Sequence, residues 1–297
     1  MTTLAAPSET RSVRSLLQLA LAEDVGSGDL TTRATVQRET RARGRVVARE
    51  ALVVAGMGLL DAILEELSCM GDAGAGASSI VISERVGDGV KVAAGSTICV
   101  LDGEAWGLLT VERTFLNFLG RLSGIATETA EVVQMVRAAD CQTRILDTRK
   151  TTPGWRLLEK YAVVCGGGTN HRMGLFDAVL IKDNHVVAAG GITAAVQAAL
   201  TKTPDGVRVE VECDTLAQVT EALDAGAVAI LLDNFTPERV AEAVTLIAGR
   251  AEVEVSGGIN LNNVVAYAKA GPDSISLGHL THSARSVDVS MDVTLLA

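Results

Sequence analysis

From residue 140 onward the chain repeats one rhythm: a short Val/Ile/Leu-rich run, a few polar residues, then a segment with helical spacing. The runs are "TRILDTRK" ending near Asp147, "DAVLIKDNH" near Lys182, "VRVEVEC" near Glu212, "VAILLDN" near Asp233, "AEVEVSGG" near Ser256 and "DSISLG" at Gly278. The last four gaps hold only about 20–30 residues, room for one helix and two turns. Units of that size imply parallel strands joined by right-handed helical crossovers. No early Gly-x-Gly-x-x-Gly follows a strand, so a barrel or barrel-like sheet is favoured over a doubly wound one. Residues that end the strands of such a barrel gather on one rim, where its chemistry is done. That rim takes in Asp147, Arg149, Lys150, Lys182, Asp183, Glu212, Asp233, Asn234, Ser256, Gly257, Gly258 and Gly278.

The first part of the chain is mixed. Residues 12–23 have helical spacing, and "DVGSGDLTT" (24–32) reads as a cluster of turns. Residues 40–56 read as strand, 57–70 as helix, and 80–100 as short strands separated by Gly turns. A helix starts at about Ala105 and runs through "TVERTFLNFLGRLSGIAT". At the far end, the alternation of Val287, Val289, Met291 and Val293 reads as a strand returning to the N-terminal sheet.

Bulk numbers narrow the function classes. With 297 residues, 48% of them hydrophobic, the chain can bury a large core. No apolar run approaches the roughly 18 residues of a membrane helix, and the N-terminus has no apolar core of signal-peptide type. Five cysteines without paired spacing suit reduced thiols in a cytoplasm. The net charge of −10 speaks against a nucleic-acid surface. Local clusters of cations therefore point to something small and anionic.

"ILDTRKTTPG" is such a cluster: an apolar run stops, and Arg149 and Lys150 follow among hydroxyl and carboxylate side chains. "GGGTNHRMG" brings His171 and Arg172 side by side, and its three glycines suggest mobility. With Lys182 these residues place four Arg and Lys cations on one rim. Arg suits planar carboxylates, whereas Lys acts as a point charge for phosphate. "SGGI" and "SLGHLTHSA" place small residues after two late strands, where backbone N–H groups can bind phosphate. Glu212 and Asp233, among cations, should stay ionised, ready to hold a divalent metal, bind sugar hydroxyls or stabilise a cationic transition state. Glu210 shares a strand face with Glu212, and either could be the reactive member. Anion sites joined to two carboxylates suit glycosyl or phosphoribosyl transfer.

The blocks "LAEDVGSGDLTT", "VERTFLNFLGRLSGIAT", "DTRKTTPGWRLLEKYAVVCGGGTNHRMGLFDAVLIKDNH", "LLDN", "VSGGI" and "SLGHLTHSA" closely resemble the quinolinate phosphoribosyltransferase family. The likeness runs in order from about residue 16 to 290. It implies an α/β chain of type II phosphoribosyltransferase kind, with an N-terminal open α/β sandwich and an incomplete parallel α/β barrel. The sandwich would be residues 1–124, completed by 284–297, and the barrel 125–283.

The resemblance also implies the reaction. Quinolinate and 5-phosphoribosyl 1-pyrophosphate, with Mg2+, would give nicotinate mononucleotide, pyrophosphate and carbon dioxide, a step of NAD biosynthesis. Arg113, Arg149, Lys150, His171 and Arg172 would grip quinolinate, Arg113 reaching across a homodimer interface. Lys182, Glu212, Asp233, Ser256, Gly257, Gly258, Ser276, Leu277, Gly278 and His279 would bind the phosphoribosyl donor. Lys150, Lys182, Glu212 and Asp233 would be the catalytic set, with Glu212 and Asp233 near the metal.

Other readings fit some of the same residues. A related transferase could act on another acidic heterocycle, a barrel aldolase could use Lys182 as its Schiff-base lysine, and a non-catalytic phosphate binder could share the loops. Lys91 within "GDGVKVAAGSTI" reads as part of a structural hairpin rather than a carrier lysine. His279 and His282 could hold a metal by spacing, but a capping or phosphate-side role fits them better. Cys165 reads as a core residue.

Overall fold

A computed structural model describes residues 6–296. Helices α1 (Arg11–Val25) and α2 (Leu30–Thr35) come first, then strands β1 (Arg41–Ala48) and β2 (Leu52–Val53). Helix α3 (Leu60–Ser68) precedes β3 (Val81–Arg85), β4 (Lys91–Val92) and β5 (Thr97–Glu104). Helix α4 (Ala105–Ala138) leads to β6 (Arg144–Leu146), α5 (Arg156–Cys165), β7 (Val179–Ile181), α6 (Asp183–Ala189) and α7 (Ile192–Lys202). Next come β8 (Val209–Cys213), α8 (Leu216–Asp224), β9 (Ala229–Asp233), α9 (Pro237–Ile247) and β10 (Glu252–Ser256). Helix α10 (Val264–Lys269), β11 (Ser274–Ser276), α11 (His279–His282) and β12 (Val289–Leu295) complete the order.

Two compact units form: Met1–Ala130 with Thr152–Gly167 and Ser283–Ala297, and Glu131–Thr151 with Gly168–His282. In the first, an antiparallel sheet has the order β12-β1-β5-β3. On β1, Ala42 and Val46 face inward while Arg43 and Arg45 stay outside. The outer arginines pair across strands, Arg43 with Asp102 at 2.7 Å and Arg45 with Asp292 at 3.4 Å. The chain's last strand thus lies against β1. Helix α1 buries Val13, Leu17, Leu21 and Val25, a stripe at every fourth residue that packs near α3.

Two local readings change. The expected turns at 24–32 run into helix α2, because Asp29 Oδ1 accepts from the Thr32 amide at 3.0 Å and caps it. The helix expected over 57–70 starts as a 3-10 turn at Met57–Leu59 and ends at Ser68. A third difference concerns residues 152–167, which the sequence grouped with the barrel. They cluster with the first unit. Glu159 on α5 is wholly buried and takes Arg121 of α4 as its cation at 2.8 Å. It also accepts from the amide and hydroxyl of Thr152, at 3.0 and 2.9 Å. A buried carboxylate must keep its cation, so α5 stays with α4. Gly166 follows α5, where an added Cβ would meet the Ala126 carbonyl oxygen at 2.4 Å. This glycine serves close packing.

The second unit holds a parallel sheet in the order β6-β11-β10-β9-β8-β7. Strands β7 to β11 follow chain order and β6 adjoins β11, so the strands run in cyclic order with a seam between β6 and β7. The barrel is incomplete. At the β6 edge of the seam, the Thr169 amide donates to Ile145 O at 2.8 Å, and Asp147 N donates to Thr169 O at 3.3 Å. Side chains alternate along each strand. Val209, Val211, Ile230, Leu232, Val253, Val255 and Ile275 form the buried apolar set. The alternate set carries Glu210 and Glu212, Leu231 and Asp233, Glu254 and Ser256, and Ser274 and Ser276. Barrel interiors are ordinarily filled by branched apolar residues; this one is largely polar.

Ile275 sits on β11 between two neighbours and has no exposed surface. Ile275→Ala is expected to lower stability by about 2–4 kcal/mol in urea unfolding. Val228→Ala, at a position 61% exposed, should stay within about 0.5 kcal/mol of the parent.

Candidate active site

At the C-terminal ends of the second unit's strands lies a cavity of about 670 Å3. Each strand delivers polar residues to it: Thr148, Arg149 and Lys150 after β6, Lys182 after β7, Glu212 from β8 and Asp233 from β9. Ser256, Gly257 and Gly258 close β10, and Ser276, Gly278, His279 and His282 close β11. The loop before β7 adds His171 and Arg172.

The cation side is crowded. Burial, then the neighbouring charge of Arg149, pulls the Arg172 guanidinium below its ordinary value. An arginine side chain keeps its charge in a protein, so two like charges are held together. That arrangement favours an incoming anion. Arg172 also donates to Ala178 O at 3.2 Å, and Asp177 accepts from the amides of Met173 and Gly174 at 2.6 and 2.9 Å. The loop that carries Arg172 is therefore tied at its own base.

On the same lining, the Lys182 ammonium pairs with Glu212. Asp233 lies close to both kinds of charge. Burial pushes its carboxyl up, Glu212 pushes it further, and Lys182 and Lys150 pull it back only in part. Adjacent carboxylates that repel each other, both offering oxygen donors, suit a hard divalent cation.

The small-residue loops are shaped for close approach. Gly257 and Gly258 have φ of 94° and 65°, conformations that favour glycine. A Cβ on Gly257 would meet Asn234 Oδ1 at 2.3 Å, whereas one on Gly258 would meet nothing within 4 Å. Thr281 Oγ1 donates to Lys150 O at 2.7 Å, tying α11 to the cation loop after β6.

His171 lies deeper. Its amide donates to Asp147 Oδ1 at 2.9 Å, and Nε2 lies 3.3 Å from Glu210 and 3.4 Å from Glu254. Burial opposes a charged ring, but hydrogen bonds and charge from the two carboxylates overcome it and raise the pKa to about 9. One contact argues the other way: the Arg172 amide points at Nδ1 at 2.7 Å, which suits a neutral ring. Magnitudes decide between them. Stranding a buried carboxylate without its cation costs about 3–5 kcal/mol, against roughly 1 kcal/mol for one amide hydrogen bond. His171 is a cation at neutral pH.

Comparison with known proteins gives this cavity its context. Residues 29–123 match the N-terminal domain of quinolinate phosphoribosyl transferase, and residues 125–292 match its C-terminal domain. The nicotinate-nucleotide pyrophosphorylase (carboxylating) of Mycobacterium leprae is 41% identical over 289 residues, covering 96% of this chain and 98% of its own. The chain belongs to the quinolinate phosphoribosyltransferase family. Quinolinate phosphoribosyltransferase (decarboxylating) 2a, mitochondrial, of Nicotiana tabacum is 38% identical over 303 residues, covering 96% of this chain and 83% of its own. The solved nicotinate-nucleotide pyrophosphorylase of Francisella tularensis matches with a TM-score of 0.87 at 37% identity, covering 99% of this chain and 100% of that one.

In this quinolinate phosphoribosyltransferase-family chain, most residues expected at the site share the one cavity. Two do not line it. Leu277 is buried, with its amide donating to Leu146 O at 2.9 Å, so its side chain is core. Arg113 lies on α4 of the first unit, with its side chain 64% exposed and 4.0 Å from Glu112. Of the rim residues, Asp147 is fully buried, and it holds the His171 amide instead of facing the cavity. Asp183 and Asn234 lie outside the lining too. Sequence reasoning missed Thr148, Asn260 and Glu254, all of which line the cavity. Glu254 was findable, because it stands two residues before Ser256 and so shares its face.

Replacing Gly257 by Ala is expected to weaken inorganic pyrophosphate binding about tenfold in calorimetry, since positive-φ strain and the Asn234 clash together cost on the order of 1–3 kcal/mol. Gly258→Ala should lose distinctly less.

Proposed function

We propose that this chain transfers the phosphoribosyl group of 5-phosphoribosyl 1-pyrophosphate to quinolinate with decarboxylation. The products are nicotinate mononucleotide, pyrophosphate and carbon dioxide, a step of NAD biosynthesis. "Carboxylating" and "decarboxylating" in the relatives' names describe this one reaction from opposite ends. The observation that carries the reading is the cavity itself, which gathers Arg149, Lys150, His171 and Arg172 with Lys182, Glu212 and Asp233. A dicarboxylate and a phosphorylated sugar need that combination.

Quinolinate docks its carboxylates on Arg149, Lys150, Arg172 and the charged face of His171, which directs the ring nitrogen toward the sugar. The nitrogen's lone pair forms the bond to the anomeric carbon as the carbon–oxygen bond to pyrophosphate breaks. Lys182 and Lys150 neutralise the departing charge, and Glu212 and Asp233 stabilise the positive charge that develops on the ribose. Ser256, Gly257, Gly258 and the turn from Ser276 to His279 hold phosphate, Leu277 contributing backbone only. With the ring nitrogen now cationic, the bond to the adjacent carboxylate breaks, its electron pair stays on the ring carbon, and that carbon takes up a proton.

Glu212 and Asp233 are also the residues that would hold Mg2+. Bound there, the ion would add positive charge against pyrophosphate. Arg113 completes the quinolinate pocket from a second copy of the chain in a homodimer; its exposure on α4 agrees with a role outside its own unit's core. The five cysteines form no disulfide, in keeping with a cytoplasmic setting, and among the described residues no helix is long and apolar enough to cross a membrane. The aldolase alternative loses ground because Lys182 is paired with Glu212, whereas a Schiff-base lysine is activated in an apolar pocket or beside another cation.

Purified protein given phosphoribosyl pyrophosphate, Mg2+ and either quinolinate or nicotinate tests the reading. Nicotinate mononucleotide and carbon dioxide should form from quinolinate alone, and chelation should stop turnover. Product from neither acid would overturn it. For the shared site, Arg113→Ala and Lys182→Ala should each be inactive, yet recover turnover when mixed and allowed to exchange subunits. Two variants that stay inactive together would place Arg113 elsewhere.

A further inference from the structure

Below the cavity floor, charged side chains continue through the barrel interior. Arg144 of β6 and Arg208, just before β8, both pair with Glu252 of β10. Arg208 then donates to Glu210 at 3.0 Å, and Glu210 meets His171 Nε2 at 3.3 Å. Glu254, 1% exposed, meets the same nitrogen at 3.4 Å. Three carboxylates on two strands are thus matched by two guanidiniums and one imidazolium. Remove the imidazolium, and the set is one positive charge short.

We propose that Glu210 and Glu254 are positioning residues for the proposed reaction: they orient the His171 ring and keep it charged beneath the dicarboxylate pocket, with Arg208, Glu252 and Arg144 holding Glu210 in place. The inference rests on the quinolinate reading above, but it assigns roles that the reading does not need. Inside the protein, Nε2 is engaged by the two carboxylates. His171 therefore serves the substrate as a fixed positive charge. Facing the ring are Glu210 from β8, Glu254 from β10, Asp147 after β6 through the His171 amide, and Arg172 of the same loop. The same three ligand atoms could in principle take a metal ion. Arg208 on Glu210 and the charged ring already supply the balancing charge.

The sign of the effect follows from the geometry. Neutralising a carboxylate that stabilises the imidazolium lowers the pH at which His171 loses its proton, so the charge disappears earlier as pH rises. Glu254→Gln and Glu210→Gln keep shape and remove charge. In the protein alone, NMR titration of the His171 ring should show its midpoint falling by about one pH unit or more in either variant. With quinolinate, KM at pH 9 should rise about fivefold for a one-unit fall, while kcat and the KM for phosphoribosyl pyrophosphate stay within about twofold. The fall of kcat/KM for quinolinate at high pH should begin earlier, by the same shift.

An unchanged His171 midpoint in both variants overturns the proposal, whatever the kinetics. So does an equal loss for both substrates with a normal midpoint. If the parent protein turns over no quinolinate, the functional reading fails instead, and the titration still decides the role of the two glutamates. Should one variant not fold, the other carries the same comparison.

Discussion

Charge balance inside a parallel barrel governs this protein. Side chains on β8 and β10 alternate, so Glu210 and Glu212 share a face, as do Glu252, Glu254 and Ser256. That face cannot be turned outward without exposing Val209, Val211, Val253 and Val255. The carboxylates are therefore committed to the interior, and each needs a cation brought to it. Arg144, Arg208 and His171 come from three different parts of the chain to supply them. The hydrophobic pattern sets the register, and the register sets the electrostatics.

The same logic runs through the cavity. The like charges of Arg149 and Arg172, with Lys150 on the same lining, favour an incoming anion. Glu212 and Asp233 crowd each other, with Lys182 offsetting them only in part. A cavity that gathers cations around two carboxylates suits anionic substrates, one of which develops positive charge on its sugar as it reacts. The glycines at 257 and 258 add backbone access where a side chain on Gly257 would strike Asn234.

The first unit works by a parallel rule. Glu159 is wholly buried, and its need for Arg121 draws α5 away from the barrel segment that flanks it in sequence. Thr152, two residues beyond Lys150, is held by that same carboxylate. The Tyr161 hydroxyl, donating to Asp88 at 2.7 Å, and the Trp155 ring, stacked on Phe118, tie residues 152–167 to the same unit.

Much of this was legible in the sequence. The six strand ends after residue 140 were visible because a strand's apolar run stops abruptly where polar function begins, and that signal is local. Arg149, Lys150, His171, Arg172, Lys182, Glu212 and Asp233 were found as strand-end or loop residues and now share one cavity. The returning β12 was visible as a period-two alternation. Only the tertiary structure decided the rest. The seam between β6 and β7, the burial of Leu277 and Asp147, the pairing of His171 with Glu254, and the attachment of α5 to α4 all depend on contacts between residues far apart in the chain. Periodicity determines which way a side chain points; which partner waits there is set by how the strands close around one another.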